Sequence, residues 1–120
     1  RVADLDIARR FYEKLGFEFI AGPLGPEPVA IMEHPSGVNI NFILNASKNQ
    51  IVNMLMDIPE KYTGYTHMAL EISDMQATQA HLESIGFEIT EGPIVTSEGA
   101  SFIFIRDPDQ NVIEFHLPAK

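Results

Sequence analysis

Asp4 to Pro23 reads DLDIARRFYEKLGFEFIAGP, Asp74 to Pro93 reads DMQATQAHLESIGFEITEGP, and the two align without a gap at an offset of 70. Seven of the 20 pairs are identical: Asp4/Asp74, Glu13/Glu83, Gly16/Gly86, Phe17/Phe87, Glu18/Glu88, Gly22/Gly92 and Pro23/Pro93. Others keep their character, as Leu15 and Ile85 do. Further along, Pro35, Ile40, Phe42 and Leu44 fall on Pro108, Ile113, Phe115 and Leu117 at an offset of 73. The change of offset places a three-residue length difference in the intervening loop, where insertions are tolerated. A repeat that preserves turn residues as well as apolar ones implies two copies of one structural unit.

Each copy has the same local grammar. Asp4 or Asp6 can cap a helix whose Ala8, Phe11, Tyr12 and Leu15 recur at helical spacing. Gly16 supplies the left-handed residue that ends it. Asp74, Ala77, Thr78, Leu82, Ile85 and Gly86 repeat the pattern, so helices are predicted at about residues 5–15 and 75–85. Short strands follow at Phe17–Ile20 and Phe87–Thr90, then a Gly-Pro turn in each copy. Two more strands come next, joined by tight turns at His34-Pro35-Ser36-Gly37 and Asp107-Pro108-Asp109-Gln110. Thr66 to Ile72 alternates and reads as a strand ahead of the second helix. The second copy is therefore βαβββ. In the first, only Arg1, Val2 and Ala3 precede the cap, which predicts a truncated opening strand. The expected organisation is one α+β domain over 1–120: module 1 (1–44), a polar connector (45–64) and module 2 (65–120). The connector's Ile51, Val52, Met54, Leu55 and Met56 are expected to cover a groove, a partner or the core.

Composition narrows the function classes. The 120 residues suffice for a single core, and the hydrophobic fraction of 45% with a mean hydropathy of −0.01 is that of a globular chain. No apolar run approaches the ~18 residues of a membrane span, and no signal-peptide pattern opens the chain. There is no cysteine, which excludes disulfides, thiolate metal sites and a Cys nucleophile, and fits a reducing cytoplasm. Eight Lys and Arg against 17 Asp and Glu give a net charge of −9, which argues against nucleic acid. The same charge favours a cationic or metal-bound ligand, or simply solubility. No Gly-rich phosphate loop or Gly-x-Ser-x-Gly elbow is present.

Three runs in order resemble a known family: D-L-x-x-A-x-x-F-Y-E-x-L-G-F at Asp4–Phe17, H-x-A-L-E-I-S-D at His67–Asp74, and R-D-P-D-x-N-x-I-E-F at Arg106–Phe115. Together they resemble the vicinal-oxygen-chelate superfamily of glyoxalases, bleomycin-resistance proteins and extradiol dioxygenases. That resemblance implies two tandem βαβββ modules forming an open, eight-stranded, barrel-like sheet around a ligand cavity. In metal-dependent members the ligands sit on the first and last strand of each module. Carried over residue by residue, the resemblance makes His67 and Glu114 metal ligands. Imidazole and carboxylate suit Fe²⁺, Mn²⁺, Ni²⁺ or Zn²⁺. On an alternating strand Glu114 points away from Ile113 and Phe115. Taken singly, a strand His is more often a hydrogen-bonded polar residue and such a Glu a solvated one.

The first module departs from the four-ligand pattern. Glu114 has Asn41 as its counterpart, and the counterpart of His67 falls four positions before Arg1, where a third ligand is expected. Asn41 counts against a glyoxalase, which uses four protein ligands, and leaves a His, His, Glu set of the dioxygenase kind undisturbed. His116 shares the face of Glu114 one strand repeat further on, as a general base, a partner of the ligands or an edge residue. His34 and His81 are expected on the surface, Tyr12 between helix and sheet, and Phe42, Met68, Phe102 and Phe104 in core or cavity wall. The leading expectation is a cytoplasmic, homodimeric enzyme using a divalent metal on a small vicinal-oxygen substrate, dioxygenase or lyase ahead of glyoxalase. The alternative is a metal-free, bleomycin-resistance-like protein that sequesters an antibiotic.

Overall fold

A computed structural model describes residues 1–49 and 52–120, so Ile51 of the connector lies outside the described residues. The chain divides into two compact units, residues 1–51 and 52–120. The first holds α1 (Leu5–Lys14), β1 (Glu18–Leu24), β2 (Val29–Glu33) and β3 (Asn39–Ile43). The second holds β4 (His67–Glu71), α2 (Met75–Ser84), β5 (Glu91–Val95), β6 (Ser101–Arg106) and β7 (Val112–Leu117).

Both helices start where a carboxylate meets bare backbone amides. Asp4 Oδ1 accepts from the Ile7 N–H at 3.0 Å, and Asp74 Oδ1 from Ala77 at 2.9 Å. Asp4, not Asp6, is therefore the cap; Asp6 lies in the first turn, where its charge suits the helix dipole. On α1, Ala8 and Tyr12 are buried, and the Tyr12 ring lies 5.0 Å from that of Phe42 in β3. Tyr12 thus packs the helix on the sheet, as expected. Only Leu82 is buried on α2, and Ala77 faces solvent although its spacing assigned it inward.

Unit 1 is an antiparallel sheet in the order β1-β2-β3, and unit 2 a sheet in the order β4-β7-β6-β5, with β4 parallel to β7. The α+β class stands, but seven strands in two sheets are found among the described residues, where eight in one open sheet were expected. Val2 holds the place in the first copy that Ile72 holds in the second. It is buried, and its N–H donates to Ile43 O at 2.8 Å, as the Ile72 N–H donates to His116 O at 2.8 Å. These are the same bond in the two copies.

The turns also repeat. His34 N–H donates to Val38 O and Gly37 N–H to His34 O; Asp107 N–H donates to Asn111 O and Gln110 N–H to Asp107 O. Buried Asp107 holds its turn with Oδ1 accepting from the backbone N–H groups of Asp109 and Asn111, both at 2.9 Å.

The Gly-Pro pairs are a correction. They are not turns between strands but lie inside β1 and β5, where the register with β2 and β6 shifts. Both Gly–Pro bonds are cis. Gly22 and Gly92 have φ of 131° and 98°, and a Cβ on either would sit 2.6 or 2.5 Å from the neighbouring strand's backbone. Only glycine allows that approach. Phe87–Thr90, expected as a strand, is not one; pairing with β6 begins beyond it, at Glu91, after Thr90 N–H has donated to Phe104 O.

Candidate functional site

Strand alternation sorts the four-stranded sheet into two faces. Ile103, Ile105, Ile113 and Phe115 are buried on one. The other carries Phe102 and Phe104 from β6, Val112, Glu114 and His116 from β7, and His67, Ala69 and Glu71 from β4. Register sets their neighbours: Phe104 faces Glu114, Phe102 faces His116, Ala69 pairs with Glu114, and His67 with Val112.

Glu114 is the centre of this face. At 9% exposure its carboxylate lies between two imidazoles. His67 Nε2 is 2.8 Å from Glu114 Oε2, and His116 Nδ1 is 3.3 Å from Glu114 Oε1. The other ring nitrogen of His67, Nδ1, lies 2.9 Å from Thr66 Oγ1. Aromatic rings support both histidines: Phe104 edge-on to His67 at 5.7 Å, and Phe102 tilted against His116 at 4.9 Å. The structure therefore brings together all three residues that the sequence singled out. Thr66 was missed, although its place beside His67 was a signal.

The donor chemistry suits a divalent cation in part. The 2.8 Å between His67 Nε2 and Glu114 Oε2 is a hydrogen-bond distance, so one shared proton accounts for the contact without an ion. Two ligands at right angles around an ion at ~2.0–2.2 Å lie ~2.8–3.1 Å apart, which matches their separation. A ligating His usually has its far ring nitrogen hydrogen-bonded to a carboxylate, a carbonyl or water; here the Thr66 hydroxyl takes that place. One imidazole and one carboxylate are a pair, not a full set. Among the described residues no group of three or more His, Asp or Glu side chains is placed to hold a metal ion. In unit 1 the matching face has Asn41 where β7 has Glu114, Ile43 in place of His116 and Ile31 in place of Phe104, so those three positions offer no ionisable donor, and the carboxylate beside Asn41 is Glu33, at the Arg106 position. His34 instead serves its own turn, with Nδ1 accepting from the Ser36 N–H at 3.1 Å, and His81 is exposed on α2.

Beyond the histidines, Arg106 at the end of β6 forms a two-pronged pair with Asp57, both N···O distances being 2.9 Å. Bonds from Arg106 first, and from the Asn53 N–H second, hold the Asp57 carboxyl below the ordinary aspartate range. Asn53 Nδ2 donates to Gln110 O at 3.0 Å. The connector is thus tied to the β6–β7 turn, with Leu55 and Met56 half-buried while Val52 and Met54 are exposed. Nothing in the sequence announced the pair, whose members are 49 positions apart.

A capped helix followed by a glycine-kinked three-stranded meander, present twice, together with a His–Glu pair on adjacent parallel strands, defines an α+β protein of duplicated modules. The chain belongs to the glyoxalase/bleomycin resistance protein/dioxygenase superfamily, which its sequence matches over residues 1–115. Solved structures share the fold. The glyoxalase family protein from Enterococcus faecalis is 24% identical, with a TM-score of 0.77 over 95% of this chain and 89% of that one. An integron cassette protein from the mobile metagenome of V. cholerae is 26% identical, with a TM-score of 0.62 over 97% and 88%. The fosfomycin resistance protein FosX from Listeria monocytogenes is 19% identical, with a TM-score of 0.66 over 98% and 86%. No curated protein gives a significant match. No helix among the described residues is long and apolar enough to cross a membrane.

Proposed function

We propose that this protein is a metal-dependent enzyme acting on a small substrate with two adjacent oxygens, by dioxygenase or lyase chemistry rather than that of a glyoxalase. The observation that carries the reading is the 2.8 Å approach of His67 Nε2 to Glu114 Oε2 at the two positions where the superfamily resemblance puts ligands. In this reading His67 and Glu114 are two of the ligands. A divalent ion there, Fe²⁺, Mn²⁺, Ni²⁺ or Zn²⁺, supplies Lewis-acid stabilisation of negative charge on the substrate oxygens.

The chain's own groups do the rest. Phe102 and Phe104 present ring surface beside both histidines, which favours a substrate with an apolar body and excludes water from it. His116 points Nδ1 at Glu114, leaving Nε2 to exchange a proton with the substrate. Asn41, with no carboxylate, disfavours the isomerase reaction that uses a fourth ligand as its base. The enzyme is a cytoplasmic homodimer in this reading.

Elemental analysis of protein purified without chelators, set against His67→Ala, tests it. The reading predicts a divalent ion in the first and its loss in the second. Equal metal content would remove the site, and no metal in either would favour the sequestration reading.

A further inference from the structure

Arg106 has two carboxylates within reach and is paired with only one of them. Phe104 faces Glu114 and Arg106 faces Val112 in the β6–β7 register, so Arg106 and Glu114 are diagonal neighbours on one face. Such neighbours lie ~7–8 Å apart, a span that long side chains cross. An arginine fork favours a carboxylate that can accept two bonds side by side. Here the fork goes to Asp57, with Nη1 to Oδ2 and Nη2 to Oδ1 each at 2.9 Å, and Nη1 also donates to Gln110 O at 3.3 Å.

Asp57 is itself held in place. The Asn53 N–H donates to Asp57 Oδ2 at 2.9 Å, and the Asp57 N–H to Asn53 O at 2.8 Å. The repeat supplies a comparison within the molecule. At the offset of 73, Arg106 corresponds to Glu33 and Glu114 to Asn41. Where Asn41 replaces the central carboxylate, Glu33 replaces the arginine; where Glu114 is present, the arginine is present too, with a second acid to receive it.

We propose that Asp57 is a positioning residue of the His67–Glu114 site: by occupying the Arg106 fork, it keeps that guanidinium off Glu114. Were Arg106 released, it would close on Glu114, compete with His67 Nε2 for the carboxylate and block its use as a ligand. The inference rests on the proposed role of Glu114 only where metal is concerned; the His67–Glu114 contact exists without it.

The test uses Asp57→Ala, the milder Asp57→Asn, Arg106→Gln and the double variant Asp57→Ala/Arg106→Gln. The first readout, in metal-free protein at fixed pH, is the ring ¹⁵N chemical shifts of His67. Asp57→Ala is expected to move them, with Asp57→Asn shifting them the same way, and Arg106→Gln and the double variant are expected to match wild type. The second is Zn²⁺ affinity by titration calorimetry, expected to fall about tenfold or more in Asp57→Ala and to return in the double variant. A mere tether between connector and turn predicts otherwise: Arg106→Gln would do the same damage as Asp57→Ala, and the double variant would not recover. That pattern, or unchanged His67 shifts in Asp57→Ala, overturns the proposal. If wild type takes up no Zn²⁺, the metal reading falls and the ring shifts alone decide this inference.

Discussion

A carboxylate in the middle of a β-strand, flanked by buried Ile113 and Phe115 and itself almost out of solvent, does little for the sheet that holds it. Desolvating a charged group is costly, and the two imidazoles that face it are 31% and 32% exposed, so removing the carboxylate leaves neither of them buried without a partner. Glu114→Met is therefore expected to keep or raise the melting temperature of the metal-free protein while abolishing metal uptake. Thermal unfolding in EDTA measures this; a loss above about 2 kcal/mol would show that Glu114 serves the fold. Asp57 should behave differently. Its pKa is lowered in the folded state, so its contribution is fully present above the ordinary 3.8 and disappears as pH falls through the lower folded value. The stability difference between wild type and Asp57→Asn should thus be flat from neutral pH down to about pH 4 and shrink in stronger acid. A difference that grows on acidification would contradict the sign of the shift.

Elements were legible where a single residue type has one physical use. Asp4, Asp74, Gly16 and Gly86 place both helices to within a residue, since a capping carboxylate and a left-handed glycine leave little choice. Truncating either Asp to Ala should lower stability by about 1 kcal/mol, read by urea unfolding. A negligible effect at both sites would mean that water replaces the cap. Strand edges were less legible because pairing decides them. Phe87–Thr90 has strand-like residues but no partner ladder, and the Gly-Pro pairs look like turns locally while serving as kinks within β1 and β5. Two glycines separate strain from crowding. Gly92 and Gly99 have φ of 98° and 93°, but a Cβ at Gly99 meets nothing within 4 Å, whereas at Gly92 it would be 2.5 Å from Phe102 O. Gly99→Ala should cost on the order of 1 kcal/mol and Gly92→Ala more than roughly 2 kcal/mol. Equal costs would show that the close approach at Gly92 relaxes freely.

At the scale of the molecule, the internal repeat made the duplicated architecture readable from 20 aligned pairs. The site was half readable. Strand positions and motifs pointed to His67, Glu114 and His116, while Asp57 escaped because it acts through a contact made only by folding. Assembly is the remaining scale. The exposed Met54, Tyr62, Tyr65 and Val95 leave apolar surface that a second copy would cover. Light scattering at micromolar concentration should give twice the chain mass of 13.4 kDa, about 27 kDa. A mass of one chain would leave that surface to be covered within the monomer. The account's central claim is narrower and can be observed directly. Protein crystallised with Mn²⁺ or Zn²⁺ should show an anomalous-scattering peak bonded to both His67 Nε2 and Glu114 Oε2 at ~2.0–2.2 Å. No peak, with Nε2 and Oε2 still in direct contact at the 2.8 Å seen here, would contradict it.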